Sequence, residues 1–147
     1  MRIIISESKL EKLKQTISKK VMEDGIYNTA RMMGMDTIGF MDRFGFQLED
    51  KRITDLIDFY MEHRFNKIYN FEEKPELCDH YGTYNTFLNV VIEAVNDFTY
   101  NNFNFTSHYN IDEEDMEFEN IFYQMEYYLT KNYGELITNT FIKNCGE

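Results

Sequence analysis

Apolar residues recur at helical spacing along most of the chain, and this pattern most limits the folds that the sequence can adopt. The first apolar stripe, with steps of three or four positions, consists of Leu10, Leu13, Ile17 and Val21. The same spacing returns in three later segments, over residues 53–68, 84–98 and 118–129. Only one proline, Pro75, stands in the 147 residues, so little interrupts these segments. The pattern therefore predicts a domain dominated by helices.

Glycines and capping residues predict where the helices begin and end. The first helix should end at Gly25, and two short helices should follow over residues 26–33 and 37–44. In the C-terminal half, a helix that begins at Asp112 should break at residues 132–134, before a separate last helix.

Three stretches have features of strands. Residues 68–71 adjoin a segment without periodicity, residues 90–92 are all β-branched, and residues 98–109 alternate aromatic with polar side chains for part of their length. We therefore predict a helix-dominated α+β fold with five or six helices and a small β component.

Charge is unevenly distributed along the chain. Residues 1–52 contain 10 basic and 8 acidic side chains and residues 53–147 contain 5 and 18, so the net charges of +2 and −13 sum to the −11 of the whole chain. Such an acidic region repels nucleic acid and attracts basic partners, and it also keeps a protein in solution. We predict one domain over residues 1–147, with a mildly basic N-terminal corner (residues 1–52) and an acidic, aromatic-rich body (residues 53–147).

Residues 26–45 resemble a helix-turn-helix unit. Such units place a small residue in the first helix and a glycine in the turn four positions later, and Ala30 and Gly34 have this spacing. The second helix carries Asp36 and Asp42, whereas a helix that reads DNA exposes basic or amide side chains. The unit therefore predicts either a structural corner or a DNA-binding surface. For the second alternative, the candidate DNA contacts are Lys19, Lys20, Thr37 and Arg43.

No pattern in the sequence marks an active site or a metal centre. Phosphate-binding, dinucleotide-binding and nucleophile-elbow motifs are all missing. Cys78 and His80 form a weak ligand pair, and the acidic run over residues 112–119 lacks the central glycine of a calcium loop. We therefore expect no enzymatic activity, no metal and no cofactor, with an enzyme that lacks a familiar motif as an alternative.

The two cysteines, Cys78 and Cys145, are far apart and form no Cys-x-x-Cys pair. The apolar run of residues 3–5 is too short for the core of a signal peptide, and no segment approaches the roughly 18 apolar residues of a membrane span. These features predict two reduced thiols in a cytoplasmic protein that does not enter a membrane. A disulfide between them is the alternative.

Aromatic residues make up 16% of the chain, more than many cores require. They either fill the core or form an interface with another protein or a second copy. The candidate interface residues are Phe103, Phe105, Tyr109, Tyr127, Tyr128 and Tyr133.

The opening of the chain resembles a known class of small proteins. Residues 1–13 combine an Ile run, a Ser-Glu pair and a basic helix, as at the start of many small uncharacterised proteins of tailed bacteriophages. Residues 25–34 are similar to a glycine-bounded segment that follows in some of them. The resemblance covers residues 1–45 and implies a phage or prophage origin, but no activity.

These observations predict a non-enzymatic accessory protein of phage type that acts in the host cytoplasm by binding another protein or by self-association. The alternative is a DNA-associated regulator that uses the helix-turn-helix unit, so nucleic acid is the second candidate partner. No membrane partner is expected.

Overall fold

The computed structural model describes residues 7–46, 48–109 and 116–146, and all regular elements within these ranges are helical. The N-terminal corner contains α1 (Glu7–Asp24), α2 (Ile26–Met32) and α3 (Thr37–Phe44). One rod then combines α4 (Lys51–Phe59), a π-helical turn (Tyr60–Arg64) and α5 (Phe65–Ile68). The remaining helices are α6 (Leu77–Tyr81), α7 (Tyr84–Asn102), α8 (Phe105–Tyr109) and α9 (Met116–Cys145). The predicted α+β class is wrong, because no residue in the described ranges lies in a strand.

The three stretches with strand features fold differently for local and tertiary reasons. Residues 68–71 end α5 and enter a turn, and residues 90–92 lie inside α7, where Val91 and Ile92 face the core. Burial of these two side chains outweighs the weak helix propensity of β-branched residues. Within residues 98–109, Phe103 has an extended backbone at the end of α7. The Asn104 side chain then accepts a 2.9 Å hydrogen bond from the Ser107 N–H at the start of α8.

The C-terminal helix, α9, is continuous through the predicted break. Gly134 is buried inside it, and Ile137 one turn later is fully buried in the core. A single glycine in a helix costs about 1 kcal/mol relative to alanine, which the packing of the flanking residues exceeds. The predicted start at Asp112 lies outside the described residues.

The buried apolar residues form two clusters. The larger belongs to the body, where the Phe87 ring is surrounded by aromatic rings from five positions at centroid distances of 5.2–6.2 Å: Phe65, Tyr69, Phe71, Tyr81 and Phe141. The smaller cluster contains seven residues of α1–α3 and one residue of α9: Ile17, Val21, Ile26, Ala30, Phe40, Met41, Phe44 and Tyr127. Since both clusters include α9 side chains, this helix joins the corner to the body.

Polar contacts from α9 also hold the corner. Gly25 precedes α2 and has no side chain to cap it, and the Asn120 Oδ1 atom instead accepts a 2.8 Å hydrogen bond from the Ile26 N–H. The Tyr127 hydroxyl donates a 2.8 Å hydrogen bond to Asp42 at the end of α3.

The prediction of two reduced thiols is wrong, because Cys78 and Cys145 form a disulfide. Packing of α6 against the end of α9 brings their Cα atoms to 5.4 Å across a sequence separation of 67. This distance is within the range that a disulfide bridges, but no sequence spacing indicates it.

Candidate functional site

Within residues 26–45, for which a helix-turn-helix unit was predicted, α2 and α3 are joined by a tight turn. The Gly34 backbone has a φ of 70°, and the Gly34 and Met35 N–H groups donate to the carbonyls of Arg31 and Ala30 at 3.0 and 2.9 Å. These two bonds form a Schellman motif, which ends α2 and turns the chain toward α3. Ala30 is 1% exposed, so its small side chain permits the close approach of the neighbouring helices.

The exposed surface of this corner is unusually apolar. Five large side chains between positions 22 and 38 have exposed fractions of 37–75%: Met22, Tyr27, Met32, Met33 and Ile38. We call this set the methionine surface. Exposed apolar side chains concentrated in so short a stretch of chain are a candidate site for binding another molecule.

Lysines lie beside the methionine surface on α1. Four are exposed: Lys12, Lys14, Lys19 and Lys20. None of them forms an ion pair with a side chain that the structure describes, and those side chains begin at residue 12. A groove of about 450 Å³ between α2 and the start of α3 adds further contact area, with Tyr27, Arg31 and Thr37 among its lining residues. The corner therefore combines apolar contact area with exposed positive charge.

The candidate DNA contacts do not form a typical recognition helix. Lys19 and Lys20 are exposed on α1, Arg43 is exposed near the end of α3, and Thr37 is half-buried at the first position of α3. The Asp36 carboxylate accepts a hydrogen bond from the Gly39 N–H at 2.6 Å and occupies the start of α3. Its negative charge stands where a phosphate or base edge would approach.

The six candidate interface aromatics lie inside the molecule or at its internal contacts. Phe103, Phe105 and Tyr127 are 7%, 4% and 3% exposed. The other three, Tyr109, Tyr128 and Tyr133, are half-buried and pack against the body core. Their rings therefore contribute mainly to the packing of the molecule itself.

Two of these tyrosines share one carboxylate. The hydroxyls of Tyr128 and Tyr133 donate hydrogen bonds to Asp58 Oδ1 at 2.9 and 2.7 Å. Burial, together with the hydrogen bond to Asp58, raises the pKa of Tyr128 to about 12, and the same causes raise the pKa of Tyr133 further. Both phenols are therefore neutral donors at pH 7, and the cluster fastens α9 to α4.

A second carboxylate, Asp50, is also occupied by donors from its own chain. Arg52 donates to it through Nε and Nη2 at 3.0 and 2.7 Å, and the Tyr109 hydroxyl donates to the same group. The hydrogen bond from the Arg52 side chain is the main cause that holds the pKa of Asp50 well below its usual range. Arg52 also contacts His108 Nδ1 at 3.0 Å, so this cluster attaches α8 to the start of α4.

The geometry assigns no metal ligands. In the parts of the chain that the structure describes, no three His, Cys, Asp or Glu residues come together as a possible metal site. Cys78 is bonded to Cys145 and has no thiolate to pair with His80. Among the helices described, none has the length and apolar character that crossing a membrane requires.

The methionine surface was not predicted from the sequence. Five of the nine methionines fall between positions 22 and 41, which is the available signal. Met35 and Met41 face inward or lie half-buried, whereas Met22, Met32 and Met33 are exposed. The helical stripes alone do not separate these groups, because α2 is too short for a clear period.

Comparison with known proteins gives no relative: no family model, curated protein or solved structure matches this chain. The phage resemblance over residues 1–45 stays a prediction.

Proposed function

We propose that this protein is a non-enzymatic accessory protein of phage type that binds another protein through the methionine surface. The observation that supports this most directly is the distribution of exposed apolar side chains. Of the eleven large apolar residues found exposed in the described ranges, six lie between positions 13 and 38. The body, which is the longer region, exposes the other five, spread from Phe59 to Leu136.

Methionine suits a surface that adapts to a partner. Its unbranched side chain and polarizable sulfur pack against surfaces of varied shape, and exposed methionines recur in binding grooves. Met22 and Met32 are 75% and 59% exposed, so their contact area is available to a partner without refolding of the corner.

Charge indicates the chemistry of the partner. The corner has a net charge of +2 and exposed lysines on α1, whereas the body has a net charge of −13. A protein with an acidic rim around an apolar patch would be attracted by the corner and repelled by the body. The electric field of these two oppositely charged regions would orient such a partner as it approaches and raise the association rate.

Duplex DNA fits this surface less well than a protein does. DNA offers phosphates and polar base edges, whereas the methionine surface offers apolar side chains, and α3 carries the exposed carboxylates of Asp36 and Asp42.

The test compares one substitution in the methionine surface with a matched one in the body. Met32→Glu places a charge at a 59% exposed position of α2, and Leu136→Glu places one at a 49% exposed position of α9. Proteins captured from a bacterial lysate by the wild-type chain are identified, purified separately and titrated against all three chains by calorimetry. Loss of one buried methionine contact predicts about ten- to hundredfold weaker binding for Met32→Glu and little change for Leu136→Glu.

The competing functions give different results in the same preparation. Equal binding of the partner by both variants would contradict the proposal. Size-exclusion chromatography with light scattering is run alone and with mixed duplex DNA at low salt. Co-migration with DNA that Lys20→Glu and Arg43→Glu abolish would favour the DNA-associated regulator, and a specific catalytic turnover would favour an enzyme.

The cytoplasmic location predicted from the sequence is a separate part of the proposal. The Cys78–Cys145 disulfide argues against this location, because disulfides persist mainly in oxidising compartments. Thiol labelling of the protein in intact cells, followed by mass spectrometry of both cysteines, tests this directly. Labelled thiols support a cytoplasmic location, and protected cysteines contradict it.

A further inference from the structure

A groove of about 400 Å³ lies along the rod that α4, the π-helical turn and α5 form. Every residue that lines it is exposed, and the lining combines apolar with basic side chains: Phe59, His63, Arg64, Lys67 and Ile68. We call it the rod groove. Sites for small molecules usually have volumes of roughly 300–1,000 Å³ and combine apolar walls with a few polar groups. The rod groove therefore has the size and the mixed lining of such a site.

The π-helical turn determines which side chains meet in the rod groove. Along a regular α-helix, side chains three and four positions apart are neighbours, whereas side chains five apart are not. In the turn Tyr60–Arg64 the hydrogen bonds connect residues five positions apart, and the Phe65 N–H donates to the Tyr60 carbonyl. Arg64 accordingly lies over the ring of Phe59, five positions earlier, with its guanidinium carbon 5.9 Å from the ring centroid. Single π-helical turns inside α-helices recur at functional sites, so this turn is a candidate for one.

Two aromatic rings hold the guanidinium of Arg64. Its central carbon lies 4.9 Å from the centroid of Phe98, and the rings of Phe98 and Phe59 stack on each other at 6.1 Å. These contacts use the face of the guanidinium, so the N–H groups at its edge are available to a planar anion. Neither Arg64 nor Lys67 forms an ion pair with a side chain that the structure describes. A guanidinium held in this way loses little side-chain freedom when it binds an anion.

The basic side chains of the rod groove lie in a region that is otherwise acidic. The body contains 18 acidic and 5 basic side chains, and two of the five, Arg64 and Lys67, line this one groove. The surrounding negative charge disfavours polyanions such as nucleic acid and favours an anion with a single charge. A carboxylate has one charge, and its two oxygens accept two parallel hydrogen bonds from a guanidinium.

We propose that the rod groove binds a single carboxylate that is carried by an aromatic ring. In this arrangement Arg64 and Lys67 hold the carboxylate. Phe59 and Ile68, each 44% exposed, contact the ring of the ligand. The His63 ring lies 4.9 Å from that of Phe59 and extends the aromatic wall. This chemistry occurs in small aromatic acids and at the C-terminus of a chain that ends in phenylalanine or tyrosine. The proposal does not depend on the methionine surface, because the two sites share no residue.

The first test compares probes on the intact wild-type chain by protein-observed NMR titration. Phenylacetate carries both the carboxylate and the ring, phenylacetamide lacks the charge, and acetate lacks the ring. We expect saturable binding of phenylacetate and at least about tenfold weaker binding of the other two probes.

A pair of peptides separates the two sources of the carboxylate. Both are N-acetylated tripeptides that end in phenylalanine, one with a free and one with an amidated C-terminus. We expect the free-acid peptide to bind more tightly than its amide. Tighter binding of the free-acid peptide than of phenylacetate assigns the site to the C-terminus of a protein, and the reverse order assigns it to a small acid.

A matched pair of variants tests the role of Arg64. Arg64→Gln removes the guanidinium at an exposed position, and Lys74→Gln makes the same change in net charge at an exposed position outside the groove. Affinity for phenylacetate should fall at least about tenfold in Arg64→Gln and should not change in Lys74→Gln. Arg64→Lys keeps the charge but lacks the planar fork, so its affinity should be intermediate. The comparison of probes needs no variant, which keeps the proposal testable if a variant does not fold.

Four outcomes would overturn the proposal. The first two are the absence of saturable binding of both phenylacetate and the free-acid peptide at millimolar concentration, and equal affinity for phenylacetate and phenylacetamide. The third is binding of phenylacetate by Arg64→Gln that is undiminished or falls no more than in Lys74→Gln. The fourth is tighter binding of a single-stranded oligonucleotide than of phenylacetate to the same residues, which would assign the groove to nucleic acid.

Discussion

In the body, α7 and α9 form the most extensive contact between described helices, and Phe87 of α7 lies in the core there. In the N-terminal corner, seven buried residues of α1, α2 and α3 pack together with Tyr127 of α9. The body adds a disulfide to its packing, and the corner has none. The corner nevertheless exposes more large apolar side chains within a much shorter stretch of chain. These side chains, which could have been buried in the core of the corner, lie at its surface instead.

This difference separates two uses of apolar residues. In the body they stabilise the fold, and even the tyrosines proposed as an interface donate internal hydrogen bonds through their hydroxyls. In the corner, Met22 and Met32 contribute little to the fold, which makes them available for contact with another molecule. The corner in turn depends on α9 for its cap and for part of its core.

The largest expected effect tests whether the body provides most of the stability. Phe87→Ala removes a fully buried ring that contacts five others, and it should lower the free energy of unfolding by about 3–5 kcal/mol. Urea denaturation followed by far-UV circular dichroism measures this loss. Tyr84→Ala, at a 38% exposed position of the same helix, should have a much smaller effect. Similar losses for both variants would contradict the packing of α7.

The disulfide provides the next largest effect and is also specific to the body. It closes a loop with a sequence separation of 67, for which chain entropy predicts a stabilisation of about 4 kcal/mol. Reduction should therefore lower the melting temperature of the wild type. A variant with both Cys78→Ala and Cys145→Ala serves as the control and should not respond to the reductant. An unchanged melting temperature of the reduced wild type would show that the disulfide does not stabilise the body.

Local signals in the sequence were sufficient to predict where the helices of the corner end. The ends of α2 and α3 at Gly34 and Gly45 depend on glycine backbone conformations within a single turn, and both helices were predicted there. The α1 helix likewise ends at Asp24, before Gly25, as its stripe and glycine indicate.

The errors in the body arise where distant residues override local preference. Residues 90–92 have strand propensity but lie in α7, because the side chains of Val91 and Ile92 are buried in the core of the body. Gly134 does not break α9 for the same reason. The disulfide depends on the approach of α6 to the end of α9, so it is not encoded in a local pattern.

A smaller effect tests the joint between corner and body. Asn120→Ala leaves the N–H of Ile26 without its acceptor at a fully buried residue, and this should cost about 1–3 kcal/mol. Hydrogen exchange measured by mass spectrometry should show faster exchange in α2 and α3 than in α7. Asn139→Ala, at an exposed position of the same helix, should leave exchange unchanged. Equal acceleration throughout the chain would indicate that the corner and the body unfold as one unit.

The smallest expected effect concerns pH at the boundary near residue 52. In the folded protein the pKa of Asp50 lies below its ordinary value of 3.8, chiefly because of the hydrogen bond from the Arg52 side chain. The group therefore stabilises the fold above about pH 4, and this contribution is lost as the pH falls further. Arg52 is exposed, so solvent screening keeps the effect small.

Asp50→Asn should flatten the decline in melting temperature between about pH 4 and pH 2, since the ionised carboxylate that Arg52 and Tyr109 require is absent at every pH. Asp55→Asn is the matched control, because its ion pair with Lys51 joins two exposed side chains and contributes little. Differential scanning calorimetry across this range measures both variants. If Asp50→Asn retains the full acid dependence, the ionised Asp50 carboxylate does not stabilise the fold through its hydrogen bonds from Arg52 and Tyr109.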